Sequence, residues 1–187
     1  MFVKTKTMKK TQLIVALDVS TFAEAKKLVD KLYPTVKFFK IGSQLFTAAG
    51  ARAVSYVRKK GGQVFLDLKF HDIPNTVAHA VRAAASLDVF MLTVHASGGV
   101  EMLKAAREVA SVGKKRPRIV AVTVLTSQEA SFDQVLSLAR MAAESGIDGV
   151  VASAREALAL RQALPEDFII VTPGIRPDGP AGDDQKR

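Results

Sequence analysis

Residues 64–76 have the sequence VFLDLKFHDIPNT, in which an apolar run passes through alternating charges to a proline. The run 64–68 is apolar except for Asp67, a composition that predicts a buried strand. Proline is tolerated in the first turn of a helix, so Pro74 predicts a helix that continues to about Leu87. The stretch therefore predicts one strand–loop–helix unit with a charged loop.

The same unit recurs on both sides of this stretch. Seven apolar runs are predicted as strands, at residues 13–17, 36–41, 64–68, 90–94, 119–125, 149–151 and 168–171. Helical periodicity between them predicts six helices, at residues 21–32, 44–60 with an interruption at Gly50, 74–87, 99–112, 131–145 and 154–164. Successive strand ends are about 26 residues apart, a spacing typical of folds assembled from repeated units.

Strict alternation of strands and helices predicts an α/β fold with a parallel sheet. No low-complexity linker divides the chain, so we expect a single domain at residues 13–187 after a flexible basic tail at residues 1–12. The residues themselves leave two architectures open, a doubly wound open sheet and a barrel of eight β/α units. The turn at residues 18–21 lacks the Gly-x-Gly-x-x-Gly pattern, which disfavours a dinucleotide site.

Composition limits the class of protein. The chain of 187 residues carries a net charge of +9, has 6 % aromatic residues, and contains no Cys and no Trp. Scattered basic residues without interleaved aromatic residues disfavour nucleic-acid binding and fit a small anionic ligand better. No apolar run reaches the roughly 20 residues of a membrane span, and no signal peptide is recognisable. The lack of Cys fits a reducing compartment, and we expect a cytoplasmic protein with no nucleic-acid or membrane partner.

Polar residues recur where the predicted strands end. Because the carboxyl ends of parallel strands meet at one face of a barrel, these side chains are candidate site residues. They are Asp18, Lys40, Asp67 with Lys69, His95, Thr126 with Ser127, Ser153, and Pro173 with Gly174.

The strongest local pattern is the pair Asp67 and Lys69. Side chains two positions apart on a strand share a face, and Lys40 on the neighbouring strand can reach the same point. A confined network of this kind costs desolvation unless every charge is paired, so we interpret it as functional rather than structural. A lysine between carboxylates keeps its proton, and it can then stabilise a developing carbanion and protonate it.

The three histidines are weak metal candidates. His71 and His79 do not have the spacing of two ligands on one helix face, and His79 is predicted on a packed face in mid-helix. An oxygen-liganded Mg²⁺ at Asp67 and a second carboxylate stays open at this point, because hard cations need few protein ligands.

Six segments together resemble the orotidine 5′-monophosphate decarboxylases. They are residues 17–18 (LD), 39–42 (FKIG), 66–76 (LDLKFHDIPNT), 93–99 (TVHASGG), 122–127 (VTVLTS) and 172–176 (TPGIR). The resemblance runs in order from residue 13 to residue 187. It implies a β/α barrel that works as a homodimer, without metal or organic cofactor, and that converts orotidine 5′-monophosphate to uridine 5′-monophosphate.

The resemblance also implies a role for each matching residue. Lys69 would be the catalytic proton donor beside Asp67, and Lys40 and Asp18 would hold the ribose hydroxyls and complete the charge network. Asp72 would come from the partner protomer, with Ile73 and Thr76 near the shared site. The remaining contacts implied are Thr126 and Ser127 at the pyrimidine, Pro173 as a further substrate-binding residue, and Arg176 and Gln185 at the phosphate.

The sequence departs from the family pattern in two places. An eighth strand ending in a Gly-Arg pair has no counterpart before Arg187, so we expect a truncated barrel that lacks this strand and the final helices. The segment 127–131 is also shorter than is usual in the family.

Two other functions remain open from the sequence. One is a Mg²⁺-dependent relative that acts on sugar phosphates, such as a keto-gulonate phosphate decarboxylase or a hexulose phosphate synthase. The other is a non-catalytic fragment that only forms dimers.

Overall fold

The computed structural model describes residues 11–110 and 116–175. Its strands are β1 (Ile14–Ala16), β2 (Phe38–Gly42), β3 (Gln63–Phe70), β4 (Met91–His95), β5 (Arg118–Val122), β6 (Gly149–Val151) and β7 (Ile169–Val171). Its α-helices are α1 (Phe22–Leu32), α2 (Ser43–Ala49), α3 (Ala51–Lys59), α4 (Pro74–Ser86), α5 (Gly99–Ala110), α6 (Phe132–Glu144) and α7 (Ala157–Ala163). A 3₁₀ turn, Ala96–Gly98, lies between β4 and α5.

The strands form one parallel sheet in chain order. Each strand pairs with the strand that follows it, from β1 to β7. A doubly wound sheet reverses its order at a switch point, whereas a β/α barrel keeps the chain order. The observed order therefore confirms the predicted β/α-barrel class and excludes the doubly wound alternative. Among the described residues, β1 and β7 form the two edges of this sheet.

Both faces of the sheet are apolar. Val64, Leu66 and Leu92 belong to a large buried cluster that includes residues from the helices. Phe65 and Met91, which alternate with them along the strands, belong to a smaller cluster of strand residues and their immediate neighbours. Successive side chains of a strand point to opposite faces, so the first set packs under the helices and the second fills the concave side of the sheet. This is the packing expected of a barrel wall.

Local signals fixed most of the helix boundaries. Thr21 caps α1: its hydroxyl accepts from the amide of Glu24 at 3.2 Å, and the Glu24 carboxylate accepts from the amide of Thr21 at 3.0 Å. Gly50, with φ of +57°, separates α2 from α3 at the predicted interruption. Ser131 caps α6 through the amide of Gln134, as its place at the start of the predicted helix indicates.

Two strands end at different places from those predicted. β3 continues beyond residue 68, because Phe70 still pairs with Val94 after an irregular register. β5 ends at Val122 rather than at residue 125. Its neighbour β6 has only three residues, and the carbonyl of Val151 accepts from the hydroxyl of Thr123 at 3.0 Å just past the strand end.

The last helix begins later than predicted. Residues 154–156 form a turn rather than the first turn of α7. The Glu156 carboxylate accepts from the amide of Ser153 at 2.9 Å, and the Ser153 hydroxyl accepts from the amide of Arg155 at 3.3 Å. Ser153 is 2 % exposed and serves this turn, so its position at a strand end reflects local structure.

Some predictions fall on residues outside the described ranges. These are most of the basic tail at residues 1–12 and the end of the predicted helix at residues 99–112. Within the described ranges, no helix combines the length and the hydropathy needed to cross a membrane.

Gly149 is required by the close approach of β6 to β7. A Cβ atom at this position would lie 2.3 Å from the carbonyl oxygen of Ile169 and 2.9 Å from its carbonyl carbon. Because backbone atoms of a paired strand cannot move aside cheaply, we expect Gly149→Ala to lower the free energy of unfolding by roughly 2 kcal/mol or more. Urea denaturation followed by circular dichroism measures this change.

Gly42 offers a matched control, since it is also a strand glycine. A Cβ atom there would lie 3.5 Å from Nζ of Lys40 and 3.6 Å from Oδ1 of Asp18, which are ordinary contact distances. We expect Gly42→Ala to change the free energy of unfolding by less than about 1 kcal/mol. Equal destabilisation of the two variants would contradict the argument from backbone contact.

Candidate active site

The backbone of β3 is irregular where it carries Lys69. The register between β3 and β4 shifts between Leu66 and Phe70, and Lys69 adopts a φ of +52°. A residue with a Cβ atom in the left-handed region costs about 1 kcal/mol, and such residues are concentrated at functional sites. The amide of Lys69 donates to Oγ1 of Thr93 at 2.8 Å, which satisfies the donor at this irregularity.

Four charged side chains form a continuous chain of contacts at the carboxyl edge of the sheet. Nζ of Lys40 lies 2.9 Å from Oδ1 of Asp18 and 3.9 Å from Oδ2 of Asp67. The same Oδ2 of Asp67 accepts from Nζ of Lys69 at 2.8 Å. The predicted set of Asp18, Lys40, Asp67 and Lys69 is therefore brought together by β1, β2 and β3, with charges that alternate in sign.

Asp67 is the most enclosed member of this chain. Its side chain is 13 % exposed, against 36 % for Lys69 and 63 % for Asp18. Its second oxygen, Oδ1, accepts from the hydroxyl of Thr93 at 3.0 Å. A carboxylate this enclosed needs partners on both oxygens, and both are supplied. In the part of the chain that the structure describes, the Lys69 ammonium uses one of its three N–H donors on Asp67, so others can face a ligand.

Three predicted residues lie around the start of α4. Asp72 is exposed, and among the described residues its carboxylate accepts only from the amide of Ile73, at 2.7 Å. Ile73 is 66 % exposed, which is unusual for a large apolar side chain, and Thr76 is exposed as well. Among the described residues, none of these three forms a hydrogen bond or an ion pair with Lys69 of the same protomer.

The other predicted substrate contacts lie in loops or outside the described residues. Thr126 and Ser127 were expected to end the fifth strand, and this is wrong. They lie in a turn closed by the amide of Gln128 and the carbonyl of Leu125 at 2.8 Å, four and five residues after the last residue of β5. Pro173 is half-buried after β7. Arg176 and Gln185 lie outside the described residues.

Two histidines stack beside the charge chain. The rings of His71 and His95 have centroids 5.1 Å apart and planes inclined by 29°. Burial lowers the pKa of His95, the electrostatic interactions with His71 and Lys69 lower it further, and the Asp67 carboxylate opposes them. His95 is therefore held neutral next to Lys69 at neutral pH.

His79 lies on the solvent side of α4. The prediction that His79 lies on a packed face is wrong: it is exposed, because Val77, Val81 and Ala84 form the buried face of α4. Across residues 11–110 and 116–175, no three His, Asp or Glu side chains converge in a way that suits a metal ion.

The lowered pKa of His95 predicts a specific pH dependence of stability. The unfolded chain takes up a proton near the ordinary His pKa of 6.5, whereas the folded chain resists it to lower pH. The free energy of unfolding should therefore fall as the pH drops from about 6.5 through the lowered folded value. We expect His95→Asn to show a smaller loss than the unmodified protein, in urea titrations between pH 7.5 and pH 5.

His79 provides the control for this measurement. It lies on the exposed side of α4, away from the buried face, so His79→Asn should keep the pH dependence of the unmodified protein. The interpretation fails if His95→Asn and the unmodified protein lose the same free energy over this range.

Thr93 is a site residue that the sequence did not single out. It is fully buried and contacts both Asp67 and Lys69. The sequence did contain a signal for it. Met91, Thr93 and His95 are two positions apart along β4 and therefore share one face, which puts the hydroxyl of Thr93 on the same side of the sheet as the strand-end His95.

The sequence of the chain matches one family of known proteins. The family model described as "Orotidine 5'-phosphate decarboxylase / HUMPS family" matches residues 11–187. An orotidine 5′-phosphate decarboxylase of Moorella thermoacetica is 50 % identical over 195 residues, covering 95 % of this chain and 77 % of that protein. One from Vibrio cholerae is 48 % identical over 192 residues, covering 96 % and 83 %.

Two solved structures have a similar fold. The crystal structure of an orotidine 5′-phosphate decarboxylase from Lactobacillus acidophilus has a TM-score of 0.83 and 40 % identity, covering 90 % of this chain and 83 % of that one. An uncharacterized conserved protein from Geobacillus kaustophilus has a TM-score of 0.81 and 37 % identity, covering 86 % and 82 %. The family-model match and the identities extend over nearly the whole chain, which therefore belongs to the orotidine 5′-phosphate decarboxylase / HUMPS family.

Proposed function

We propose that this protein is a carbon–carbon lyase that decarboxylates orotidine 5′-monophosphate to uridine 5′-monophosphate in pyrimidine nucleotide synthesis. The proposed reaction takes place in the cytoplasm and uses no metal or organic cofactor. The observation that carries the proposal is the contact chain of Asp18, Lys40, Asp67 and Lys69 at the carboxyl edge of the sheet. The names of the relatives from Moorella and Vibrio support the substrate.

In the proposed reaction, the bond between C6 of the pyrimidine and its carboxylate breaks and CO₂ leaves. The electron pair stays on C6, where no adjacent carbonyl delocalises it in the usual way. Lys69 supplies a fixed positive charge next to this carbanion and then transfers a proton from Nζ to C6. Asp67, 2.8 Å from Nζ, holds the ammonium in place before the substrate arrives, and water returns the proton to Lys69 afterwards.

The remaining roles concern binding. We assign Lys40 and Asp18, which pair with each other at 2.9 Å, to the ribose hydroxyls. We assign Thr126 and Ser127 to the pyrimidine, Arg176 and Gln185 to the phosphate, and Pro173 to substrate binding. Phosphate contacts distant from C6 provide binding energy that can be used to close loops over the site.

A homodimer completes the proposed site. Among the described residues, Asp72, Ile73 and Thr76 form no hydrogen bond or ion pair with Lys69 of their own protomer, and Ile73 leaves an apolar side chain in solvent. We assign these residues to the site of the partner protomer, where Asp72 adds a second carboxylate near Lys69. The start of α4 is then an interface segment.

The direct test is turnover of orotidine 5′-monophosphate by the purified protein, with formation of uridine 5′-monophosphate followed by chromatography. We expect turnover that is unchanged by EDTA. Loss of this turnover in EDTA would contradict the metal-free reaction. If the folded protein does not turn over orotidine 5′-monophosphate, EDTA-sensitive turnover of a sugar phosphate would favour the Mg²⁺-dependent relative, and no turnover of either substrate would favour a non-catalytic dimer-forming chain.

A further inference from the structure

We propose that Thr93 is the positioning residue that sets the geometry of the Asp67–Lys69 pair. This inference rests on the proposed function, because the pair it positions is the one assigned to proton transfer. Thr93 lies on β4, is fully buried, and contacts both residues through one hydroxyl. It would act on the reaction through its neighbours and would not touch the substrate.

The direction of the two hydrogen bonds is determined by their chemistry. The amide of Lys69 can only donate, so Oγ1 of Thr93 accepts this bond at 2.8 Å. The single hydroxyl proton is then free to go to Oδ1 of Asp67, at 3.0 Å. One hydroxyl therefore links the backbone of the lysine to the side chain of the aspartate.

This hydroxyl divides the two oxygens of Asp67 between different partners. Oδ1 faces Thr93, while Oδ2 faces Nζ of Lys69 at 2.8 Å and Nζ of Lys40 at 3.9 Å. The last torsion of an aspartate side chain is broad and is not fixed by rotamer preference alone. With Oδ1 held by Thr93, Oδ2 stays directed at both lysines.

The hydroxyl also acts on the backbone of Lys69. The register of β3 against β4 jumps from Leu66 opposite Leu92 to Phe70 opposite Val94, and Lys69 has a φ of +52° within the jump. Such an irregularity leaves an amide outside the regular ladder. Oγ1 of Thr93 accepts from that amide, so the hydroxyl helps to hold the conformation that aims the Lys69 side chain at Asp67.

The test compares variants that differ in the hydroxyl. Thr93→Val keeps the branched shape and removes the hydroxyl, whereas Thr93→Ser keeps the hydroxyl. We expect Thr93→Val to lower kcat for orotidine 5′-monophosphate about 100-fold, with the Kd of uridine 5′-monophosphate changed less than about threefold. Thr93→Ser should retain kcat within a few-fold of the unmodified protein, because both hydrogen bonds can form.

Thr123→Val is the matched control. Thr123 is also a nearly buried threonine, 3 % exposed, but its hydroxyl donates to the backbone carbonyl of Val151 and, within the described ranges, forms no hydrogen bond with a charged residue. Its removal should affect the free energy of unfolding and leave kcat within a few-fold. An equal loss of kcat in both variants would show a general effect of lost buried hydroxyls and would overturn the inference.

If Thr93→Val does not fold, a second pair of variants still tests the inference. Thr93→Ser and Thr93→Ala differ only in the hydroxyl, and kcat should be about 100-fold lower in the alanine variant. Equal kcat values in this pair would overturn the inference while leaving the proposed function intact. Absence of turnover in the unmodified protein, measured first, would instead overturn the proposed function and this inference with it.

Discussion

Replacing Lys69 with alanine is expected to lower kcat for orotidine 5′-monophosphate by roughly 10⁴-fold or more, while the protein stays folded. The variant loses two effects at once, the fixed positive charge beside C6 and the proton that C6 receives. The side chain of Lys69 is 36 % exposed, so its removal leaves no enclosed cavity. Asp67 keeps its hydrogen bond from Thr93 and its longer contact with Lys40.

Two further variants separate the causes of this loss. Lys69→Arg keeps the positive charge, but a guanidinium does not release its proton in proteins, so we expect this variant to stay inactive as well. Lys59→Ala removes one positive charge from an exposed position at the end of α3 and should retain full activity. Product formation over long incubations measures all three, with circular dichroism to confirm folding. A kcat within tenfold of the unmodified value for Lys69→Ala would refute the role assigned to this residue.

The sequence predicts those parts of the site that follow from strand order. Asp18, Lys40 and Asp67 lie near the carboxyl ends of consecutive strands, and parallel pairing in chain order necessarily places them side by side. The start of α1 was equally predictable, because its capping by Thr21 and Glu24 involves only residues three positions apart. Both features follow from residues close in sequence or from the pairing of consecutive strands, so the sequence is enough to predict them.

The sequence does not predict irregular backbone or strand ends that depend on a residue of a neighbouring strand. The alternation of side chains along a strand predicts Asp67 and Lys69 on one face, and the two side chains do contact each other. Lys69, however, has a left-handed backbone conformation, which a regular strand does not have. The partner that accommodates this backbone is the hydroxyl of Thr93, 24 positions away. The end of β5 was similarly missed, because it is set by the length of β6.

A hybrid dimer test has the second large expected effect, because it restores activity from two inactive proteins. Under the proposed function, each site combines Lys69 of one protomer with Asp72 of the other. Lys69→Ala and Asp72→Ala should each be nearly inactive as homodimers. Co-expressed with two different affinity tags and purified through both, the hybrid contains one site with both defects and one site with none. It should therefore have about half the activity of the unmodified dimer.

The physical basis for this expectation is the placement of Asp72. Its carboxylate accepts from the amide of Ile73 and, among the described residues, contacts no lysine of its own protomer. Ile73, 66 % exposed, marks the same segment as a surface that a second protomer can cover. If Asp72 instead served its own protomer, each site of the hybrid would carry one defect, and no activity would return.

A second hybrid controls for effects of dimer assembly. Lys69 and Asp67 contact each other at 2.8 Å within one protomer, so both belong to the same site. In a hybrid of Lys69→Ala with Asp67→Ala, each site keeps one defect whichever protomer supplies Asp72, and no activity should return. Recovery in the first hybrid and none in the second can only arise if the site is shared between protomers. No recovery in either hybrid would assign Asp72 to its own protomer and remove the partner's contribution from the proposed mechanism.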